Sequence, residues 1–217
     1  MTLRNALAQS VNIPAVKTLY LAGMNESLDL AKKMGLETLT SAKQYGLTLV
    51  LGGGEVRPLD LAQAYGVFAN NGVKKNLSGV LRIEDRNGNV VEEFKPKQDQ
   101  IISKQTALLV SDVLSDNIAR TPAFGANSHL HFGDRGVAAK TGTTNDYRDA
   151  WIIGYTPSVV VSAWAGNNDN RSMEKKVAGF IVAPMWREFM DVILEQVPYE
   201  QFEEPVTPPE DIKPRLN

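Results

Sequence analysis

A chain of 217 residues with 43% hydrophobic and 22% charged residues has the composition of one globular domain. A domain of that length withdraws roughly 70% of its unfolded surface from water. Twenty-three Lys and Arg against 25 Asp and Glu give a net charge of -2, and no basic run is long enough to follow a phosphate backbone, which argues against a nucleic-acid partner. With no cysteine there are no disulfides, thiolate nucleophiles or Cys-based zinc sites. The longest nearly apolar stretch, Ser158 to Gly166, is about half of the ~20 residues a spanning helix needs, so no membrane anchor is expected within the chain.

Residues 2–35 are predicted helical with one interruption at Asn12-Ile13-Pro14, where the residue before proline is barred from the α region and Asn12 offers a polar cap. Thr2-Leu3-Arg4-Asn5-Ala6-Leu7 reads as the inside of a helix rather than a frayed terminus, which predicts a truncated domain. A second helix is predicted from about Ser27 to Met34, with Gly35 as its stop. Gly52-Gly53-Gly54 makes a turn, and Pro58 opens a helix ended by Asn71-Gly72. Over residues 80–94 the apolar period changes to two around Asn87-Gly88, a hairpin signal.

From Ser103 the spacing of Thr106, Leu109, Val110, Val113 and Leu114 predicts a half-buried helix, followed by a loop from Phe124 to Gly136. Three strands come next, Val137 to Thr143, Ala150 to Tyr155 and Val159 to Gly166, too close together for crossover helices and therefore antiparallel. Pro184 starts a helix predicted to turn Met185, Trp186, Phe189, Met190, Ile193 and Val197 toward the strands. Residues 198–217 carry five of the 11 prolines and read as a Pro-rich tail after a body spanning 1–197. The fold class is α+β, a helical part followed by a three-stranded antiparallel sheet with a C-terminal helix packed on it.

Lys140-Thr141-Gly142-Thr143 ends a strand of small residues. An exposed strand edge offers main-chain groups to an extended peptide, and Gly142 permits close approach. Lysine supplies positive charge and the threonines hydroxyls, a set suited to a peptide with a terminal carboxylate, and a main-chain N–H there can stabilise an oxyanion. Ser10-Val11-Asn12 has helix capping as its default explanation. Three other groups have plainer readings. His129, His131 and Asp134 read as loop residues rather than metal ligands, since no third strong ligand is evident. The Gly52 turn lacks the Gly-Lys-Ser/Thr of a phosphate loop. Asp146, Arg148 and Asp149 are expected to fix a strand connection through ion pairs.

Ser-x-Asn on an all-α junction followed by Lys-Thr-Gly on a strand is the order of the second and third motifs of serine β-lactam-recognising enzymes. The sequence resembles the transpeptidase domain of class A penicillin-binding proteins. The resemblance rests on Gln9-Ser10-Val11-Asn12-Ile13-Pro14-Ala15, the segment from Gly52 to Gly72, Lys140-Thr141-Gly142-Thr143-Thr144-Asn145-Asp146, Asp149-Ala150-Trp151 and Gly154-Tyr155-Thr156-Pro157. It implies a penicillin-binding/β-lactamase-like fold and acyl transfer from a D-alanyl-D-alanine stem peptide onto a serine, with a second stem peptide as acceptor. β-Lactams acylate the same serine, and no cofactor or metal takes part. Ser10 is then a proton relay and Asn12 a hydrogen-bond partner of the substrate amide. Lys140 tunes Ser10, Thr141 and Thr143 hold the carboxylate, and the Thr143 N–H is half of an oxyanion hole beside Gly142.

The family's nucleophile motif, Ser-x-x-Lys, is expected upstream of Ser10, where nine residues stand. The chain's one such sequence, Ser172-Met173-Glu174-Lys175, follows Lys-Thr-Gly in a polar stretch and is not expected to be catalytic. The chain therefore reads as a fragment inactive alone, whose parent is anchored upstream and acts outside the cytoplasmic membrane. With two family strands missing, Val159 to Gly166 is expected to show an open apolar edge. Two other readings stay open: a DD-carboxypeptidase or β-lactamase-like hydrolase, against which the Glu55 to Gly72 segment argues, and a non-catalytic module that binds peptidoglycan or a partner.

Overall fold

The structure is a computed structural model that describes residues 1–206, and the rest of the Pro-rich tail, 207–217, lies outside the described residues. Helices α1 (Leu3–Ala8), α2 (Asn12–Ala22) and α3 (Met24–Met34) open the chain. The N-terminal region is broken twice rather than once. Ser10, at φ 58°, breaks it before Val11, and Gly23, at φ 86°, breaks it again. Asn12 is the first residue of α2 and neither it nor Ser10 caps a helix by its side chain. Pro14 is tolerated because it lies in the first turn, where an N–H has no helical partner anyway. Gly35, left-handed at φ 117°, stops α3 as expected.

A 3₁₀ turn (Leu47–Leu51) leads through the glycine turn into α4 (Pro58–Ala69). This helix is packed on two sides: Ala64 and Val67 against Met34, and Tyr65, Phe68 and Ala69 against Tyr155, Leu114 and Ala138. The short strands β1 (Val73–Lys75) and β4 (Gln98–Gln100) pair antiparallel, an unexpected ladder. They form the base of the expected hairpin, β2 (Arg82–Glu84) with β3 (Val90–Glu93). Its turn is closed by Asp85, whose Oδ2 accepts from the Asn89 side-chain amide at 2.9 Å and whose Oδ1 accepts from the main-chain N–H of Asn89 at 2.9 Å and of Asn87 at 2.7 Å, bonds that hold the carboxyl below its usual range.

Helix α5 (Lys104–Ser115) is capped by Ser103, and a further helix, α6 (Asn117–Phe124), is capped by Asp116 and carries Pro122 inside it. Strands β5 (Ala138–Thr143), β6 (Asp149–Tyr155) and β7 (Val160–Gly166) form the expected antiparallel sheet in that order. After the single turn α7 (Ala178–Ile181), α8 (Ala183–Gln196) covers one face of the sheet through Trp186, Met190 and Leu194. The Trp186 indole N–H donates to the Val161 carbonyl at 3.2 Å. Met185 and Phe189 were expected to face the strands but are 55% and 53% exposed. The helix is apolar over more than one face, and the faces at spacings 186, 190, 194 and 185, 189, 192 cannot both meet one sheet.

The sheet is thus a middle layer. Ala139, Ala150 and Ile152 face α8, while Ala138 and Tyr155 face α4 and α5, the period-2 alternation of a sheet buried on both sides. Strand β7 is an edge of the sheet, and so is β5. Beyond α8 the chain has neither helix nor strand to Val206, yet it is tied down. Tyr199 Oη and Gln201 Nε2 donate to the Asp134 carbonyl at 2.8 and 2.9 Å. The Phe202 ring lies 5.5 Å from that of Tyr155.

Candidate active site

Side chains alternate along β5, so Lys140 shares the face of Ala138, toward the helices, and Thr141 and Thr143 share that of Ala139, toward α8. The Lys140 ammonium therefore points at the α1–α2 junction. Its Nζ donates to Ser10 Oγ at 2.7 Å and to the Thr141 carbonyl at 2.7 Å, joining residues 130 positions apart. Ser10 reaches this place because its left-handed turn is pinned from several sides. Val11 N–H donates to the Ala6 carbonyl at 2.9 Å, Gln9 Nε2 to the Ala119 carbonyl at 3.0 Å, and Arg4 bridges Asp112 and Asp116.

Lys140 is half-buried. Burial, with no opposing carboxylate, pushes its ammonium down to about 8, because a low-dielectric wall disfavours the charged form. Two of its three donors are used within the protein, leaving one for a ligand. An ammonium with no acid beside it and one donor to spare has the chemistry to take an anion.

The main chain of β5 adds unpaired groups on the same strand. Thr144 N–H donates to the Asp149 carbonyl at 3.1 Å. In an antiparallel ladder alternate residues bond the partner strand, so Lys140, Gly142 and Thr144 face β6, and Thr141 and Thr143 direct their N–H and C=O groups to the open edge. The Thr143 hydroxyl accepts from Ala178 N–H at 2.9 Å and keeps its own hydrogen to donate. Asn12 stands exposed at the start of α2.

The structure thus brings Ser10 within hydrogen-bond reach of Lys140, on the strand that carries Thr141, Gly142 and Thr143, with Asn12 exposed two residues after Ser10. One neighbour was missed in the sequence: a Cβ on Gly52, left-handed at φ 98°, would lie 3.7 Å from the Thr144 methyl, so the glycine turn packs against the residue that follows Lys-Thr-Gly-Thr. The expected ion pairs of the β5–β6 connection are corrected in part. Arg148 pairs with Asp146 at 3.7 Å, both exposed, whereas Asp149 bonds Thr144 and Trp164 instead. Ser172 to Lys175 is an exposed, non-helical loop apart from the half-buried Met173. Among the described residues no three His, Asp or Glu side chains converge as a metal site, and Asp134 and His131 are held through their carbonyls.

A sheet between two helical layers, with a Ser-x-Asn turn facing a Lys-Thr-Gly strand, defines a serine β-lactam-recognising fold. Residues 1–191 match the family described as the penicillin binding protein transpeptidase domain, and the chain belongs to that family. It is 38% identical to penicillin-binding protein 1A of Aquifex aeolicus over 218 aligned positions, covering all of this chain and 28% of that protein. To penicillin-binding protein 1A of Clostridium botulinum it is 32% identical over 95% of its length and 25% of the relative's. The chain thus spans under a third of the length of these relatives. Among solved structures, penicillin-binding protein 1A of Haemophilus influenzae superposes with a TM-score of 0.82 at 23% identity, covering 95% of this chain and 36% of that one. PonA1 of Mycobacterium tuberculosis in complex with penicillin V gives 0.80 at 26% identity, covering 95% and 60%.

Proposed function

We propose that this chain supplies the carboxylate-recognition and proton-relay wall of a peptidoglycan DD-transpeptidase, which cross-links stem peptides by acyl transfer from D-alanyl-D-alanine. The observation that carries the reading is the 2.7 Å contact of Lys140 with Ser10, where the ammonium has no acid of its own. The substrate carboxylate becomes its counter-ion, with the Thr141 and Thr143 hydroxyls as further donors. The extended peptide runs along the open edge of β5, and the Thr143 N–H meets the oxygen on which charge develops. Asn12 takes the amide side of the peptide, and Ser10, tuned by the ammonium of Lys140, relays a proton to the departing amine.

The attacking serine and its lysine are a separate requirement. Ser10 already bonds Lys140 as the relay, and Ser172 sits on an exposed loop. This chain by itself binds stem peptides and β-lactams without being acylated. A peptidoglycan substrate places the domain outside the cytoplasmic membrane. Among the described residues no helix is long and apolar enough to cross a membrane.

Purified chain titrated with an N-acylated peptide ending in D-alanyl-D-alanine is expected to bind it reversibly. Lys140→Ala weakens that binding by about ten- to a hundredfold, the worth of a charge-assisted hydrogen bond. A fluorescent penicillin leaves no covalent label. Unchanged binding in Lys140→Ala, or a label mapped to any serine of the chain, overturns the reading.

A further inference from the structure

The strand that carries Lys-Thr-Gly-Thr ends in a strained turn. Asp146 lies at φ 59°, ψ 16° and Tyr147 at φ 56°, two successive non-glycine residues in a region that costs on the order of 1–3 kcal/mol each. Such a turn persists only where its surroundings over-determine it. Tyr147 accepts from Met173 N–H at 2.9 Å through its carbonyl, and Arg148 Nη1 donates to the Asn170 carbonyl at 3.1 Å. On its strand side, Asp149 gathers four bonds.

Its Oδ2 accepts from the Thr144 hydroxyl at 2.9 Å. Its N–H donates back to that hydroxyl at 2.9 Å, and its carbonyl accepts from Thr144 N–H at 3.1 Å. Its Oδ1 accepts from the Trp164 indole N–H at 2.9 Å, reaching the third strand. Trp164 folds back over Gly166, where a Cβ would meet its ring, and lies 6.2 Å from Trp151, the register partner of Gly142. Every limb of this latch ends within two residues of Thr143 or on the strands behind it.

We propose that Asp149 is a positioning residue for substrate: by tying Thr144 to Trp164 it fixes the Thr143 main chain in one orientation toward the open edge of β5. The carboxylate touches no substrate. It acts through Thr144, so that Thr143 presents its N–H without having to reorganise when a peptide arrives. This role rests on the transpeptidase reading, since only a ligand on the β5 edge makes that orientation matter.

Three variants of the full chain separate the limbs. Thr144→Val removes the hydroxyl at constant shape, Asp149→Ala removes both side-chain limbs, and Asp149→Asn keeps an acceptor for Trp164. Thr144→Ser serves as the rescue. In ¹H–¹⁵N spectra the Thr143 amide resonance is expected to be single in the wild type and broadened or doubled in Thr144→Val and Asp149→Ala. Asp149→Ala also shifts the Trp164 indole resonance, and Asp149→Asn does not. Binding of the D-alanyl-D-alanine peptide falls about tenfold in both, without a matching loss of the thermal midpoint, and Thr144→Ser restores both readouts.

A single, unmoved Thr143 resonance in Thr144→Val and Asp149→Ala overturns the latch, and so does binding within twofold of wild type. If wild-type chain binds no such peptide, the transpeptidase reading fails, and the Thr143 resonances alone decide the latch.

Discussion

The sharpest prediction concerns the proton on Lys140. The structure buries this ammonium without a carboxylate and pushes it down to about 8 from a usual 10.5. At neutral pH about a tenth of the side chains are then neutral, against fewer than about one in a thousand for an exposed lysine. Because the folded state binds this proton less tightly than the unfolded chain, the charged form is a burden below about 8. The burden is relieved as pH rises from about 8 toward 10.5, so unfolding free energy climbs there by at most about 1.4 kcal/mol per pH unit. Solvent reaching the half-buried group lowers the slope. Specifically labelled lysine read by ¹³C or ¹⁵N NMR, with Lys140→Met to assign the signal, should give a midpoint near 8 and peptide affinity that declines above it. A midpoint above 10, or the same pH profile of stability in Lys140→Met and wild type, refutes the reasoning.

Two further predictions concern the frame around the site. Arg120 is 3% exposed and donates to the carbonyls of Leu114 at 2.5 Å and Leu130 at 3.3 Å; burial pushes its guanidinium down to about 10. Arg120→Met leaves two buried carbonyls unpaired and should cost about 1–3 kcal/mol, a fall in thermal midpoint of roughly 2–12 °C for a chain of this size; an unchanged or raised midpoint contradicts it. A Cβ at Gly154 would strike the Trp186 ring and lie 3.2 Å from the Ala138 carbonyl, so Gly154→Ala should destabilise by about 1–3 kcal/mol in denaturant titration.

The parts of the fold legible in the sequence were those written in backbone chemistry. Pro58 and Pro184 marked helix starts, Asn87-Gly88 a hairpin, and the spacing of three apolar runs an antiparallel sheet. What escaped had little pattern to show. Strands β1 and β4 are three residues each and mostly polar, so their pairing follows from the ends of the hairpin rather than from periodicity. Helix α6 hid behind Pro122, and α8 behind an apolar surface too wide to say which face is inward. In the site, the motifs named Ser10, Lys140 and the threonines, but not that Ser10 would be held left-handed by Gln9 and Arg4, nor that Gly52 would close against Thr144. The bonds of Asp149 to Thr144 and Trp164 depend on β6 lying between β5 and β7, a fact of topology that no local stretch encodes.

The prolines from 198 onward invite a domain boundary just after α8, yet Phe202 stands edge-on to Tyr155, whose ring also meets Tyr65 and Phe68. Tyr155 is wholly buried, and its hydroxyl is 3.0 Å from that of Ser111 on α5. Trimming the chain at the first of these prolines would uncover an aromatic wall shared by α4 and β6, the strand that flanks the whole length of the Lys-Thr-Gly edge. A shortened protein designed on that boundary would expose a sticky surface and loosen the support behind its own site, so any boundary has to keep Phe202.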